Sequence, residues 1–215
     1  GPKGIKEVIN IQLKHSKSYV KFKIIFHELN STESELIFED EKVKVYTIPL
    51  NHRVYTNGFL FKEKEKSRKI NISAVKKFKE IDVCDYNNLK AGKDFKLASG
   101  DVIKNSELTC NPEKAVSYAY CSDTSYKPSI IKIINGVDLL YHESTFLTDK
   151  EDLAAKTGHS TAKQAATIAK KANVKKLVLG HYSSRYKNIS LFKKEAQEVF
   201  KNVSLAETGR VFSSK

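Results

Sequence analysis

The chain has 215 residues, 40% of them hydrophobic, enough to bury a core without metal or disulfide staples. Lys and Arg total 38 against 25 Asp and Glu, a formal net charge of +13, and 10% of residues are aromatic, which excludes a disordered chain. No stretch approaches ~20 consecutive apolar residues, so a membrane-spanning helix is excluded, and Cys84, Cys110 and Cys121 lack the spacing of a disulfide scaffold or zinc ribbon.

In chain order, Lys3 to Lys14 is a predicted short helix, with Ile5, Val8, Ile9 and Leu13 at helical spacing. Tyr19 to Phe26 and Leu36 to Phe38 read as strands. Lys42 to Leu50 alternates more clearly, with Val43, Val45 and Thr47 on one parity, and Phe59 to Phe61 starts the next strand. Residues 62–101 are lysine-rich, with turn signals at Ala91-Gly92 and Ser99-Gly100, and are expected to form an insertion or projecting arm. Ala115 to Cys121 and Ile130 to Leu140 are strand-like, and Asp149 to Lys156 and Thr161 to Ala172 helical. Leu177 to Leu179 reads as a buried strand and Leu191 to Phe200 as a last amphipathic helix. The alternation predicts a mixed α/β (α+β) fold.

Basic residues concentrate at Lys62 to Lys79 and Lys170 to Lys194, a pattern that suits a polyanion as well as a solvated surface. Free cysteines make the cytoplasm the expected compartment. Methionine is absent, and the chain opens on Gly-Pro-Lys-Gly.

Several chemical side chains stand where an apolar strand stops: His52 after TIPLN, Asp123 after AYCS, Glu143 after DLLYH, and His181 after LVLG. Strand ends position such groups rigidly while loops expose them. A single His or Asp there is more often structural. Two His and one Asp in the same situation weaken that explanation together, because imidazole and carboxylate are zinc-type ligands. His159 precedes Thr161 and Gln164, which match a capping box at a helix start. The helix so begun carries Ala162, Ala165, Ala166, Ala169 and Ala172 on one small-residue face.

Tyr120-Cys121-Ser122-Asp123-Thr124, Tyr141-His142-Glu143-Ser144-Thr145-Phe146, His159-Ser160-Thr161 and Leu179-Gly180-His181-Tyr182-Ser183-Ser184-Arg185-Tyr186 occur in that order. The succession resembles the ribonuclease Z family, the tRNA 3′-processing endonucleases of the metallo-β-lactamase superfamily, over nearly the whole chain. The resemblance implies an αββα sandwich in which two sheets pack face to face. It implies two zinc ions, with Asp123 bridging them, His52 completing one ligand set and His181 the other. It also implies His159 as proton donor to the leaving oxygen, Glu143 as the group orienting it, and Arg185 and Ser183 near the substrate's 3′ end. Precursor tRNA is the implied partner and a homodimer the implied assembly, with residues 62–101 in the place of the projecting arm.

The family's HxHxDH motif has no counterpart among His15, His27, His52, His142, His159 and His181. Residues 1–215 are therefore expected to be a single metallo-β-lactamase-like domain lacking its N-terminal part, inactive alone and weak in zinc binding. The presumed arm contains no proline, unlike many relatives'. Two rival readings are another hydrolase of this fold, acting on thioesters, sulfate esters or small phosphodiesters, and a metal-free module that binds RNA and cuts nothing.

Overall fold

The computed structural model describes residues 1–213. The chain divides into two compact units, one made of residues 1–62 with the chain from Val116 onward, the other of Glu63–Ala115. The lysine-rich stretch expected at 62–101 falls in the second unit except for Lys62, and that unit runs on to Ala115.

The first unit opens with α1 (Ile5–His15), β1 (Leu36–Glu39), β2 (Val43–Pro49) and β3 (Asn57–Glu63). The second contributes β4 (Lys69–Ile70), α2 (Ile72–Val75), α3 (Tyr86–Lys90), β5 (Phe95–Lys96), β6 (Val102–Ile103), α4 (Asn105–Leu108) and β7 (Thr109–Cys110). The first unit then resumes with β8 (Ser117–Cys121), β9 (Leu139–Glu143), α5 (Glu151–Thr157), α6 (Ala162–Lys171), β10 (Lys176–Gly180), α7 (Ser190–Gln197) and β11 (Val203–Leu205).

Seven strands form one sheet in the order β1-β2-β3-β8-β9-β10-β11. β1 with β2 and β3 with β8 are antiparallel, whereas β8, β9, β10 and β11 run parallel. Of the two facing sheets that the resemblance implies, the described residues form this one. One face is apolar and covered by helices: Ile48, Leu60, Ala119, Leu140, Leu177 and Leu179 pack with Ala162, Ala165, Ala166 and Ala169 of α6 and Phe192 of α7. The alanine face lets α6 lie close on the sheet, so these methyls are wholly buried. Tyr120 and Tyr141 lie on the opposite face, their rings stacked 4.8 Å apart.

One predicted strand is absent and another starts late. Tyr19 to Phe26 is irregular, with Tyr19 93% and Phe22 70% exposed. No neighbouring strand supplies ladder partners there, so its β propensity has nothing to act on. Residues 130–138 are not strand either: Pro128 starts a 3₁₀ turn at Pro128–Lys132, and Gly136 turns the chain at φ 71°. The buried residues there, Ile130, Ile134 and Val137, follow a helical period, and the strand begins only at Leu139. The brief β11 has no sequence signal of its own beyond Val203 and Leu205.

The second unit has a separate small core of Val75, Ile81, Leu89, Ile103 and Leu108. Two short ribbons, β4 with β7 and β5 with β6, close it. Asn105 stitches its centre, donating both amide hydrogens, to the Leu89 and Lys93 carbonyls at 2.8 Å each.

Candidate active site

Parallel pairing decides where the site lies. Cys121 pairs with His142, and Gly180 with Glu143, so β8, β9 and β10 end together at one edge. The residues that follow, Asp123 and His181, and Glu143 at the end of β9, are therefore brought side by side. His52 reaches the same edge from the loop between β2 and β3. That loop is tied to the residues after β8 by the Asn51 amide donating to Thr124 Oγ1 at 3.0 Å and the Ser125 amide to the Asn51 carbonyl at 2.8 Å. His159 arrives between α5 and α6. The Thr161 hydroxyl accepts the Gln164 amide at 3.1 Å and the Gln164 side chain accepts the Thr161 amide at 3.0 Å, which completes the expected capping box.

Glu143 is the hub of the edge. Its carboxylate has no exposed side-chain surface. Oε1 accepts from His159 Nδ1 at 2.8 Å and from the Thr124 amide at 3.0 Å. Oε2 accepts from the Thr145 amide at 2.9 Å and the Thr145 hydroxyl at 2.8 Å. Burial by itself pushes the Glu143 pKa up, but the bonds from His159, Thr124 and Thr145 outweigh it and hold the group below the usual carboxylate range. The same bond raises the pKa of His159, against a smaller opposing effect of burial.

Asp123, His159 and His181 each offer a ligand atom, all within 4.8 Å of one another. Asp123 Oδ1 lies 3.4 Å from His181 Nε2, and the His159 and His181 ring centroids are 5.3 Å apart. His52 stands beside this trio, its ring centroid 5.1 Å from that of His159. The trio thus combines the expected ligands Asp123 and His181 with His159, which the resemblance casts as proton donor, and leaves His52 adjacent. One carboxylate and imidazole nitrogens suit zinc and similar borderline metals. A His whose other nitrogen is bonded to a carboxylate is also the usual support of a metal-facing imidazole. The residues present therefore fit a metal.

Tautomers follow from the partners. His52 Nδ1 is 3.0 Å from the Gly158 carbonyl, which can only accept, so Nδ1 carries the hydrogen and Nε2 is left free. His159 is fixed the same way by Glu143. Gly158 caps α5 at φ 78°, and a Cβ there would lie 2.7 Å from His52 Nδ1. A side chain at this cap would displace the His52 ring. His181 sits at φ 59°, an uncommon backbone for a non-glycine residue and one often found at functional sites. Half-buried Ser183 and exposed Arg185 lie just beyond it, and their loop is anchored by Tyr186, whose hydroxyl accepts the Leu147 amide at 3.2 Å and donates to Asp149 at 2.8 Å. Nothing in the sequence marks Thr124, Thr145 or Gly158 as a functional residue. The first two stand inside quoted motifs, but no spacing rule marks a hydroxyl or a cap as a supporting group.

Residues 88–182 match a family model described as a beta-lactamase superfamily domain. Over 213 residues the chain is 46% identical to a ribonuclease Z of Cytophaga hutchinsonii, covering 99% of this chain and 67% of that protein. The chain belongs to the ribonuclease Z family. A ribonuclease Z of Bacteroides fragilis is 42% identical over 206 residues, 96% of this chain and 67% of its own length. The crystal structure of human tRNase Z, short form, matches with a TM-score of 0.65 at 25% identity, over 100% of this chain and 66% of that one. YhfI from Bacillus subtilis, a metallo-β-lactamase fold protein, is 18% identical with a TM-score of 0.56 and shares the fold. The chain thus belongs to a family of ribonuclease Z-type endoribonucleases of metallo-β-lactamase fold and spans about two thirds of the length of these relatives. Among the described residues no helix is long and apolar enough to cross a membrane.

Proposed function

We propose that the whole protein removes the 3′ trailer of precursor tRNA by hydrolysing one phosphodiester, leaving a 3′-hydroxyl on the tRNA. The observation that carries this reading is the convergence of Asp123, His159 and His181 within 4.8 Å, with buried Glu143 directly behind His159. Asp123, His181 and His52 would hold zinc, two ions in the whole enzyme. Bound zinc neutralises charge on a phosphodiester and lowers the pKa of a water. His159, its Nδ1 hydrogen held by Glu143, presents Nε2 to the site and would hand a proton to the departing 3′ oxygen. Arg185 and Ser183 would meet the 3′ end of the substrate, the basic surface the tRNA backbone, and residues 62–101 would stand in the place of the projecting arm. A cytoplasmic homodimer is the assembly in which we place it.

Three metal-facing side chains and a proton donor cannot saturate two ions. On this reading residues 1–215 bind zinc weakly and do not cut. Two tightly bound zinc ions in this chain would overturn that part. The main claim is tested with the whole protein on a precursor tRNA and on a small chromogenic diester. Cleavage of the tRNA at the trailer junction, lost in His159→Ala, is expected. Hydrolysis of the small diester alone would refute the tRNA reading in favour of a general phosphodiesterase. Binding of tRNA without cleavage of either substrate would favour a metal-free RNA-binding module.

A further inference from the structure

The three histidines at the site edge share one arrangement: each has Nδ1 against an oxygen. For His52 and His159 the oxygen can only accept, so the tautomer is settled. For His181 the partner is the Thr145 hydroxyl, 2.8 Å from Nδ1, and a hydroxyl can play either role.

The surroundings of Thr145 remove that freedom. A threonine hydroxyl has one hydrogen to give, and Oγ1 has two neighbours at 2.8 Å, Glu143 Oε2 and His181 Nδ1. If the hydrogen went to His181, Oε2 would face a hydroxyl lone pair at 2.8 Å. Oε2 already accepts the Thr145 amide at 2.9 Å, and Oε1 accepts two further N–H groups, so the whole carboxylate is used as an acceptor. The hydroxyl hydrogen therefore belongs to Glu143, and Thr145 Oγ1 must accept from His181. Backbone bonds hold the geometry: the Ser144 amide donates to the Gly180 carbonyl at 2.9 Å, and the Ser183 amide to the Thr145 carbonyl at 3.0 Å.

We propose that Thr145 is a positioning residue: through its hydroxyl, Glu143 fixes the tautomer of His181 as well as that of His159. His181 then carries its hydrogen on Nδ1 and presents a lone pair on Nε2, the nitrogen 3.4 Å from Asp123 Oδ1. One buried carboxylate in this way orients two imidazoles, each with its hydrogen on Nδ1. The consequence for metal binding rests on the reading of the site given above. The tautomer itself does not, since it is a property of the metal-free chain.

The test uses this 215-residue chain, ¹⁵N-labelled on histidine and free of metal, at a pH where imidazole is neutral. Two-bond ¹H–¹⁵N spectra distinguish which ring nitrogen of His181 bears hydrogen. Wild type is expected to show the Nδ1–H form, and Thr145→Ser to keep it. Thr145→Val, nearly the same in shape, should shift His181 toward the Nε2–H form. A wild-type His181 protonated on Nε2 overturns the proposal without reference to any variant, and so does an unchanged tautomer in a folded Thr145→Val. Titration with zinc separates the two claims. An affinity lowered by roughly 10–100-fold in Thr145→Val and restored in Thr145→Ser supports the metal consequence. Equal zinc affinity in all three, with the tautomer shifted as expected, would refute the consequence for metal binding and leave the hydroxyl relay standing.

Discussion

Both units bury polar side chains, yet they use them to opposite ends. At the edge where β8, β9 and β10 finish, Thr124, His142, Glu143, Ser144, Thr145, Ser160 and Thr161 are all buried. Their bonds run largely to one another, or to backbone of the same loops, and converge on the nitrogens of His159 and His181. In the second unit the buried polar residues are Asn105 and Thr109. Asn105 spends its amide on two backbone carbonyls, and Thr109 donates to the Asn105 side chain at 2.7 Å, so nothing is left over for a ligand. Charge divides as unexpectedly. The second unit has 12 basic and 9 acidic residues, and the rest of the chain 26 and 16. Lys66 and Lys69 lie 3.9 and 3.7 Å from Glu113, and Lys104 lies 2.9 Å from Asp94. The stretch richest in lysine is thus not where most of the positive excess resides. Reactive groups need a spare valence held rigidly, and only the first arrangement provides one.

The hardest way to break this contrast is to remove its hub. Glu143→Ala leaves His159 without its partner and strands the Thr124 and Thr145 amides inside the protein. Truncating one member of a buried charged network costs about 3–5 kcal/mol. Denaturant unfolding followed by a probe in the first unit should register a loss of that size. A change under ~1 kcal/mol would mean that water or a rearranged neighbour replaces the carboxylate, and that the hub is weaker than its bonds imply.

Asn105→Ala is the matching cut in the second unit. It orphans the Leu89 and Lys93 carbonyls near a core residue that is itself only 1% exposed. The expected cost is about 1–3 kcal/mol. Hydrogen exchange reads where it falls: protection should drop within residues 63–115 and stay unchanged in β8, β9 and β10. Equal loss in both places would show that the units unfold as one and that the division by contacts has no energetic counterpart.

How much of this was legible in the sequence depended on whether a signal was local. The capping box at Thr161 is local, and it formed as read. The strand-end positions of Asp123, Glu143 and His181 were legible because apolar runs stop there. That they meet follows from parallel register, which no stretch of sequence contains. Tyr19 to Phe26 misled because β propensity is a statement about a partner strand, and among the described residues there is none. Ile130, Ile134 and Val137 misled because a short apolar run fits two periods, and Pro128 and Gly136 decided between them. Thr145 and Gly158 stayed invisible for a further reason. Their roles are carried by one hydroxyl and by one missing methyl group, and neither property shows until its neighbour across the fold is known.

Gly158→Ala sharpens the contrast more gently, since it adds one methyl rather than removing a charge. The left-handed backbone at φ 78° penalises any Cβ by about 1–2 kcal/mol, and the new methyl must also push aside the His52 ring. Thermal unfolding should show the backbone cost. The His52 ring resonances should move while the Glu143–His159 pair stays in place. If His52 did not respond, the short contact at the cap would have no bearing on the ring's orientation.

The smallest effect expected is a pH slope away from the site. Asp138 is buried, accepts from the Ser117 amide at 2.7 Å and hydroxyl at 2.9 Å, and pairs with Lys175. Burial works against its ionisation, but the Lys175 and Ser117 bonds prevail and lower its pKa. An ionised form favoured by folding stabilises the protein above the unfolded carboxylate value of about 3.9. That contribution is lost as pH falls from there through the lowered native value. In Asp138→Asn the acid limb of a stability-versus-pH curve should therefore be shallower, with the site's hydrogen bonds untouched. An unaltered limb would show that Asp138 titrates alike in the folded and unfolded chain. The bonds from Ser117 and Lys175 would then hold the start of β8 in place without favouring the carboxylate over the carboxylic acid.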